Sequence, residues 1–450
     1  MQREIETEPI TPKSKIARLP FYYGWVILVV GSIGILASIP GQTIGVSVFT
    51  DHIIEALNIS RVSVSTAYMI GTLTSSLIIP FAGAFLDRRG VCVTGSLATI
   101  GLSVFLLLLT SSVFVVNQLS AFLPLSEAVI AFIIVTISFL GIRFFGQGVI
   151  SIVSRTMVAR WFSSRRGIAV GIMGAVQLLG FSYAPQSLQS LISRLGWIGA
   201  LKTEVLLLLF IILPIVLLFF RSDPESCGMM MEQGLTSRAS QQKSRTKDTT
   251  ENYTVTDAQH QLRFWIMIIT LGFWALFNNA FIFHVVSIYQ EIGVSASKAV
   301  QIFPPISYIS VCTQIIGSFL SDRIPIKWLF LSFTLSIMLA FASLINLGTP
   351  LGDWTLLIFY GLAGGLYVVL NVVVWPKLYG RTHLGAISGF ATSIIIAGSA
   401  IGPWAFSLFY AFTHSYRLVG VFGAVACLIL FIITSSLKFS DPLVGTKEKK

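Results

Sequence analysis

The feature that most restricts this chain is a stretch of about 20 mostly apolar residues that recurs along its length, each followed by a short charged or Gly/Pro-rich joint. At about 1.5 Å of rise per residue, each stretch is one helical crossing of a bilayer. The spacing predicts crossings over 21–49, 63–86, 91–116, 127–156, 165–191 and 197–220, then over 263–290, 297–320, 326–347, 353–376, 383–411 and 416–437. The predicted fold is therefore all-α and membrane-integral, with twelve transmembrane helices in two pseudo-symmetric six-helix bundles, 21–221 and 263–437. A polar linker, 222–262, joins them, and tails 1–20 and 438–450 flank them. At 11% charged residues the chain lies far from soluble domains, where charge runs near a quarter. No cleavable leader is expected, because 1–20 is polar and the apolar run after it is too long for one. The four cysteines, Cys92, Cys227, Cys312 and Cys427, lack metal-ligand or redox spacing and read as reduced packing residues.

The formal charge of +11 would raise the question of nucleic acid in a soluble protein. Here its distribution answers differently. With the N-terminus cytoplasmic, 24 of the 30 Lys and Arg fall on the cytoplasmic side and only Arg143 lies deep inside a span. That asymmetry satisfies the positive-inside rule, so both termini are expected in the cytoplasm of a plasma membrane, the inner membrane in a bacterium. The expected partners are the lipid bilayer, a small-molecule substrate and a coupling proton or counter-anion, with no nucleic acid and no cofactor, for a monomer.

The two halves echo each other. Gly83-Ala-Phe-Leu-Asp87-Arg88-Arg89-Gly90 ends the second helix, and Gly317-Ser-Phe-Leu-Ser-Asp322-Arg323 ends the eighth. Gly167-x-x-x-Gly171 precedes Pro185 as Gly385-x-x-x-Gly389 precedes Pro403, each by 18 residues from the first glycine. Two parallel copies of a six-helix unit are what a pseudo-two-fold transporter requires, with its substrate between them.

These residues carry a family resemblance. Gly83 to Gly90 resembles the Gly-x-x-x-Asp-Arg-x-Gly loop of the major facilitator superfamily, and Gly317 to Arg323 its degenerate second copy. Arg143-Phe-Phe-Gly-Gln147-Gly148 resembles its Arg-x-x-Gln-Gly signature, displaced by one residue. Trp161-Phe-x-x-Arg165-Arg166-Gly167 and Arg221-x-x-Pro224-Glu225-x-x-Gly228 are similar to segments of the monocarboxylate-transporter and oxalate/formate-antiporter branch. The resemblance implies a secondary transporter working by alternating access. It departs from the branch in that the eighth and eleventh helices lack the basic residues that carboxylate-carrying members use, so substrate anionicity rests on Arg143.

Arg143 stands 13 residues before Thr156, roughly 20 Å from the end of its helix and beyond the reach of headgroups. A charge there costs at least about 2.5 kcal/mol, which by default marks a wet pathway. Three roles fit: a counter-charge for an anionic substrate, a member of a proton-coupling network as the resemblance implies, or an arginine bridging helices through main-chain carbonyls. His284 is the intramembrane group able to titrate near neutral pH, or else a packing histidine. Gln42, Gln147, Asn278, Asn279 and Asn371 are candidates to line a central cavity, with interhelical amide bonding as the competing role. Gly83, Asp87, Arg88, Gly90, Asp322 and Arg323 are expected to form latches, with Trp375 and Tyr379 as gate aromatics. No Walker loop or hydrolase motif occurs, so an enzyme is not expected. The function expected is transport of a small organic anion such as a monocarboxylate, coupled to protons or by exchange. Proton-coupled efflux of amphipathic compounds and a non-transporting membrane receptor are the alternatives.

Overall fold

Two glycines divide what would otherwise be helices too long for a bilayer. The computed structural model describes residues 22–162, 166–224, 227, 229, 253–321, 323–379 and 384–437, and in them ten continuous helices are long and apolar enough to cross a membrane. Two of these, Arg61–Thr110 and Gly171–Phe219, run to 50 and 49 residues, against the 20 or so that one crossing needs. Each contains one non-helical glycine, Gly90 at φ +76° and Gly196 at φ +71°. This left-handed conformation is open to glycine and costly for other residues, and it reverses the chain without a long loop. Counted on either side of these breaks, the spans number twelve, as the hydropathy predicts.

At Gly90 the break is tied to the start of the linker. Ser222 Oγ accepts from the Val91 amide at 3.2 Å, satisfying a donor freed by the turn. The far end of the linker carries a short helix, Val255–Gln259, closed by a capping box between Thr254 and Asp257. The tails 1–20 and 438–450 and most of the linker lie outside the described residues.

The first span differs from the single helix expected over 21–49. Its α-helix runs Gly24–Ala37, a 3-10 turn follows at Ile39–Gly41, and Gln42 is extended. Pro40 denies the helix an amide donor, and Gly41 lets the chain approach the fourth span. A Cβ on Gly41 would stand 2.6 Å from the Gln147 nitrogen, the Gly146 Cα and the Ile142 oxygen. The fourth span answers with a π-helical stretch, Arg143–Ile150, between Glu127–Ile142 and Ser151–Trp161. Such π segments are frequent at functional sites.

The end of the first span that bears the N-terminus meets the linker end of its own half. Tyr22 donates to the Trp161 carbonyl, Tyr23 to the Phe219 carbonyl, and Trp161 Nε1 to the Arg221 carbonyl at 2.9 Å. The face holding these groups is termed the linker face. Within the halves the second span packs on the fourth, and the eighth on the tenth; between them the seventh packs near the first, and the fifth on the eighth.

Candidate functional site

Where the first span breaks, it leaves a carbonyl without a helical partner, and Arg143 occupies it. Arg143 Nη1 donates to the Gly41 oxygen at 3.0 Å and to Thr43 Oγ1 at 3.4 Å, while Nε donates to Thr72 Oγ1 at 3.1 Å. The guanidinium carbon lies 4.9 Å from the centre of the Tyr68 ring. At 1% exposure the side chain is sealed off, and it does not reach the central cavity. The water-facing placement expected for Arg143 is thus replaced by the carbonyl-bridging one, because the broken helix supplies an acceptor that the sequence does not display.

Thr43 carries the network onward. It accepts from Arg143 and is 2.7 Å from the Tyr68 hydroxyl, and its own proton goes to Asn279 Oδ1 at 3.0 Å, in the seventh span. Two lone pairs and one proton are then fully used, which makes Tyr68 the donor in its pair. Asn279 Nδ2 in turn donates to Ser399 Oγ and to the Ser399 carbonyl. That carbonyl lacks its helical donor because Pro403 stands four residues on. The chain of bonds therefore runs from the fourth span through the first to the seventh and eleventh, joining the two halves between carbonyls freed at Pro40–Gly41 and at Pro403.

Beside this chain lies a cavity of about 500 Å³ between the halves. From the N-terminal half Gln42, Gln147, Arg155 and Gln177 line it; from the C-terminal half come Trp274, Asn278, Asn279, Gln314, Tyr360 and Tyr367. Tyr360 donates to Asn278 Oδ1 at 2.8 Å, and Gln42 Nε2 donates to Ser38 Oγ at 3.0 Å. Arg155 Nη2 donates to Gln177 Oε1 at 3.1 Å. Among the described residues no acidic side chain lines the cavity and no ion pair involves Arg155, so the cavity carries one uncompensated positive charge.

The family model described as Major Facilitator Superfamily matches residues 30–395. The chain belongs to the Major Facilitator Superfamily. It is a multi-pass membrane protein and a secondary transporter of small molecules, not an enzyme. No curated protein matches its sequence. Among solved structures, an inward-facing bacterial homologue of the human lysosomal transporter Spinster is 15% identical, with TM-score 0.63, covering 92% of this chain and 96% of that one. The nucleoside transporter NupG is 13% identical, with TM-score 0.65 and coverage of 92% and 100%. The xylose transporter XylE from E. coli is 16% identical, with TM-score 0.59 and coverage of 93% and 98%. At these identities the likeness is one of fold.

Within this facilitator fold the remaining candidates separate by position. His284 is fully buried away from the cavity, its Nε2 2.8 Å from the Pro403 carbonyl and its ring packed with Phe283, Phe406 and Tyr416. Asn371 lies one turn past the cavity-lining Val368. Asp87 pairs with Arg160 of the fourth span at 2.7 Å, within one half, while Arg88 and Arg89 are exposed. The second half repeats this arrangement, since Lys377 of the tenth span donates to the Ser321 carbonyl that ends the eighth. Asp322 lies outside the described residues, and the Arg323 guanidinium rests on Phe319. Trp375 and Tyr379 pack on Phe264, and Tyr379 also meets Tyr253, so this aromatic group anchors the end of the linker to the seventh and tenth spans. Sequence reasoning missed Arg155, counted as a loop charge. Gln147, Ser151 and Arg155 recur every four residues, the spacing that keeps them on one helix face.

Proposed function

We propose that the halves 21–221 and 263–437 rock about this cavity to carry a small amphipathic organic anion, of the monocarboxylate class, across the plasma membrane, with the linker face cytoplasmic. The observation that carries the reading is Arg155, the single charged side chain among the described residues lining the cavity. A carboxylate about 4 Å from an unpaired cation gains on the order of 4 kcal/mol at an effective dielectric near 20, before its own desolvation. Opposite Arg155, the wall formed by Trp274, Tyr360 and Tyr367 suits the apolar body of such an acid. No imidazole or carboxyl among the described residues lines the cavity, which favours exchange against a second anion over proton symport. The orientation rests on the basic residues assigned to the linker side, 24 of 30 by sequence and 23 once Arg155 is counted with the cavity. The resemblance to the monocarboxylate and oxalate/formate branch points the same way, with Arg155 in place of the basic residues missing from the eighth and eleventh spans.

Counterflow in proteoliposomes loaded with benzoate tests this. Labelled benzoate should enter against an internal pool of the same acid, Arg155→Gln should reduce that flux at least tenfold, and Arg155→Lys should keep part of it. Undiminished flux in Arg155→Gln, or equal uptake of benzamide, would overturn the anion reading.

A further inference from the structure

On the flank of the N-terminal half, away from the central cavity, the first, fifth and sixth spans enclose a second space, an apolar groove of about 590 Å³. Leu36, Leu188 and Leu208 form its walls, and Leu207 and Ile211, 48% and 50% exposed, form a lip on the surface that a membrane protein turns to lipid. One acid stands in it. Glu204 lies eight residues past the break at Gly196, about 12 Å into its span and too deep for its short side chain to reach water. The residue is 6% exposed, and its Oε2 is buried with no hydrogen-bond partner. Among the described residues no ion pair reaches it, and on its other side it meets Pro40, Phe139, Ile142 and Leu201, which are all apolar.

An ionised carboxyl without a counter-charge is costly for a span to hold. A proton relieves that cost, but a proton needs no groove, and this one has room for an alkyl chain and opens sideways. An amine can arrive from the lipid uncharged. Its nitrogen lone pair then takes the carboxyl proton, the O–H bond breaking as the N–H bond forms, and leaves an ammonium–carboxylate pair of zero net charge in the groove. We propose that the groove between the first, fifth and sixth spans binds a lipophilic primary amine drawn laterally from the bilayer, with Glu204 as its counter-ion. Among the described residues the two sites then have opposite polarity: the central cavity holds a basic side chain and no acid, the lateral groove an acid and no basic side chain.

Binding of tritiated dodecylamine to the full-length protein in detergent, by scintillation proximity, tests this against dodecanol as competitor. Wild type should bind the amine at least tenfold more tightly than the alcohol. Glu204→Gln, which keeps the shape and removes the acid, should weaken the amine at least tenfold and leave the alcohol unchanged, with an unaltered melting temperature. Leu207→Trp, which fills the groove and keeps Glu204, should weaken both ligands. Equal binding of amine and alcohol would overturn the proposal and leave an ordinary lipid groove. Amine affinity unmoved by Glu204→Gln would also overturn it, as would absence of amine binding in a protein whose exchange changes pH dependence in Glu204→Gln, because the acid then serves a proton alone.

Discussion

Two arginines of the fourth span, twelve residues apart, show how burial decides what a charge is for. Arg143 donates to Gly41, Thr43 and Thr72 inside the bundle, so its charge is held by backbone and hydroxyl dipoles and is withheld from solute. Among the described residues Arg155 meets only an amide, and it faces the cavity. Their variants should therefore fail differently. Arg143→Gln strands the Gly41 carbonyl, a loss of about 1–3 kcal/mol for a buried acceptor, and should lower the melting temperature of the purified protein. Arg155→Gln should leave that temperature in place while removing flux, and the reverse pattern would refute both assignments. Asn279 bridges the halves in the same network, so Thr43→Ala and Asn279→Ala should be non-additive. A double-mutant cycle should return a coupling of about 0.5–1.5 kcal/mol, and strict additivity would mean that the bond at 3.0 Å carries no energy.

At the level of the helix, the informative places are the breaks. Gly41 sits where two backbones meet, and a methyl group there would stand 2.6 Å from three main-chain atoms of the fourth span. Gly41→Ala should accordingly destabilise more than Gly90→Ala, in which the strain of a positive φ costs about 1–3 kcal/mol and the new methyl meets only the Ser222 hydroxyl. Comparing the melting temperatures of the two variants decides the order. The crossings were legible in the sequence because hydropathy is a property of the chain read in one dimension. The break at Pro40–Gly41 was hidden inside a continuous apolar run. The partner of Arg143 was hidden for a related reason, being a main-chain oxygen 102 residues away that has no side-chain signature. Arg155 was misplaced because the helix runs on to Trp161, past the point where hydropathy falls. Asp87 found its cation on the fourth span rather than in its own loop, since the helix ends of each half converge on the linker face.

For the whole molecule, the question is what must move. The hydrogen bonds that cross between the halves among the described residues are Thr43 to Asn279, Ser182 to Ser307 at 3.1 Å and Tyr183 to Tyr308 at 2.5 Å. Ser182 and Tyr183 lie 16 and 17 residues into the fifth span, beyond its middle and toward the face opposite the linker. The hydrogen bonds that join the halves thus lie at the cavity and on the side away from the linker. Three bonds at about 0.5–1.5 kcal/mol each are a small barrier to parting the halves at this seam, of the size that keeps a second state thermally accessible. Fixing that seam should therefore stop transport without unfolding anything. In the double variant Ser182→Cys/Ser307→Cys the sulfurs stand where hydroxyls are 3.1 Å apart, within disulfide reach. Oxidation should abolish counterflow and reductant should restore it. Throughout, a cysteine placed at Gln314, in the cavity wall, should stay reactive to a hydrophilic maleimide supplied from the linker side. Counterflow that survives oxidation, with the cross-link confirmed by mass spectrometry, would show that the halves do not separate at this seam during the cycle.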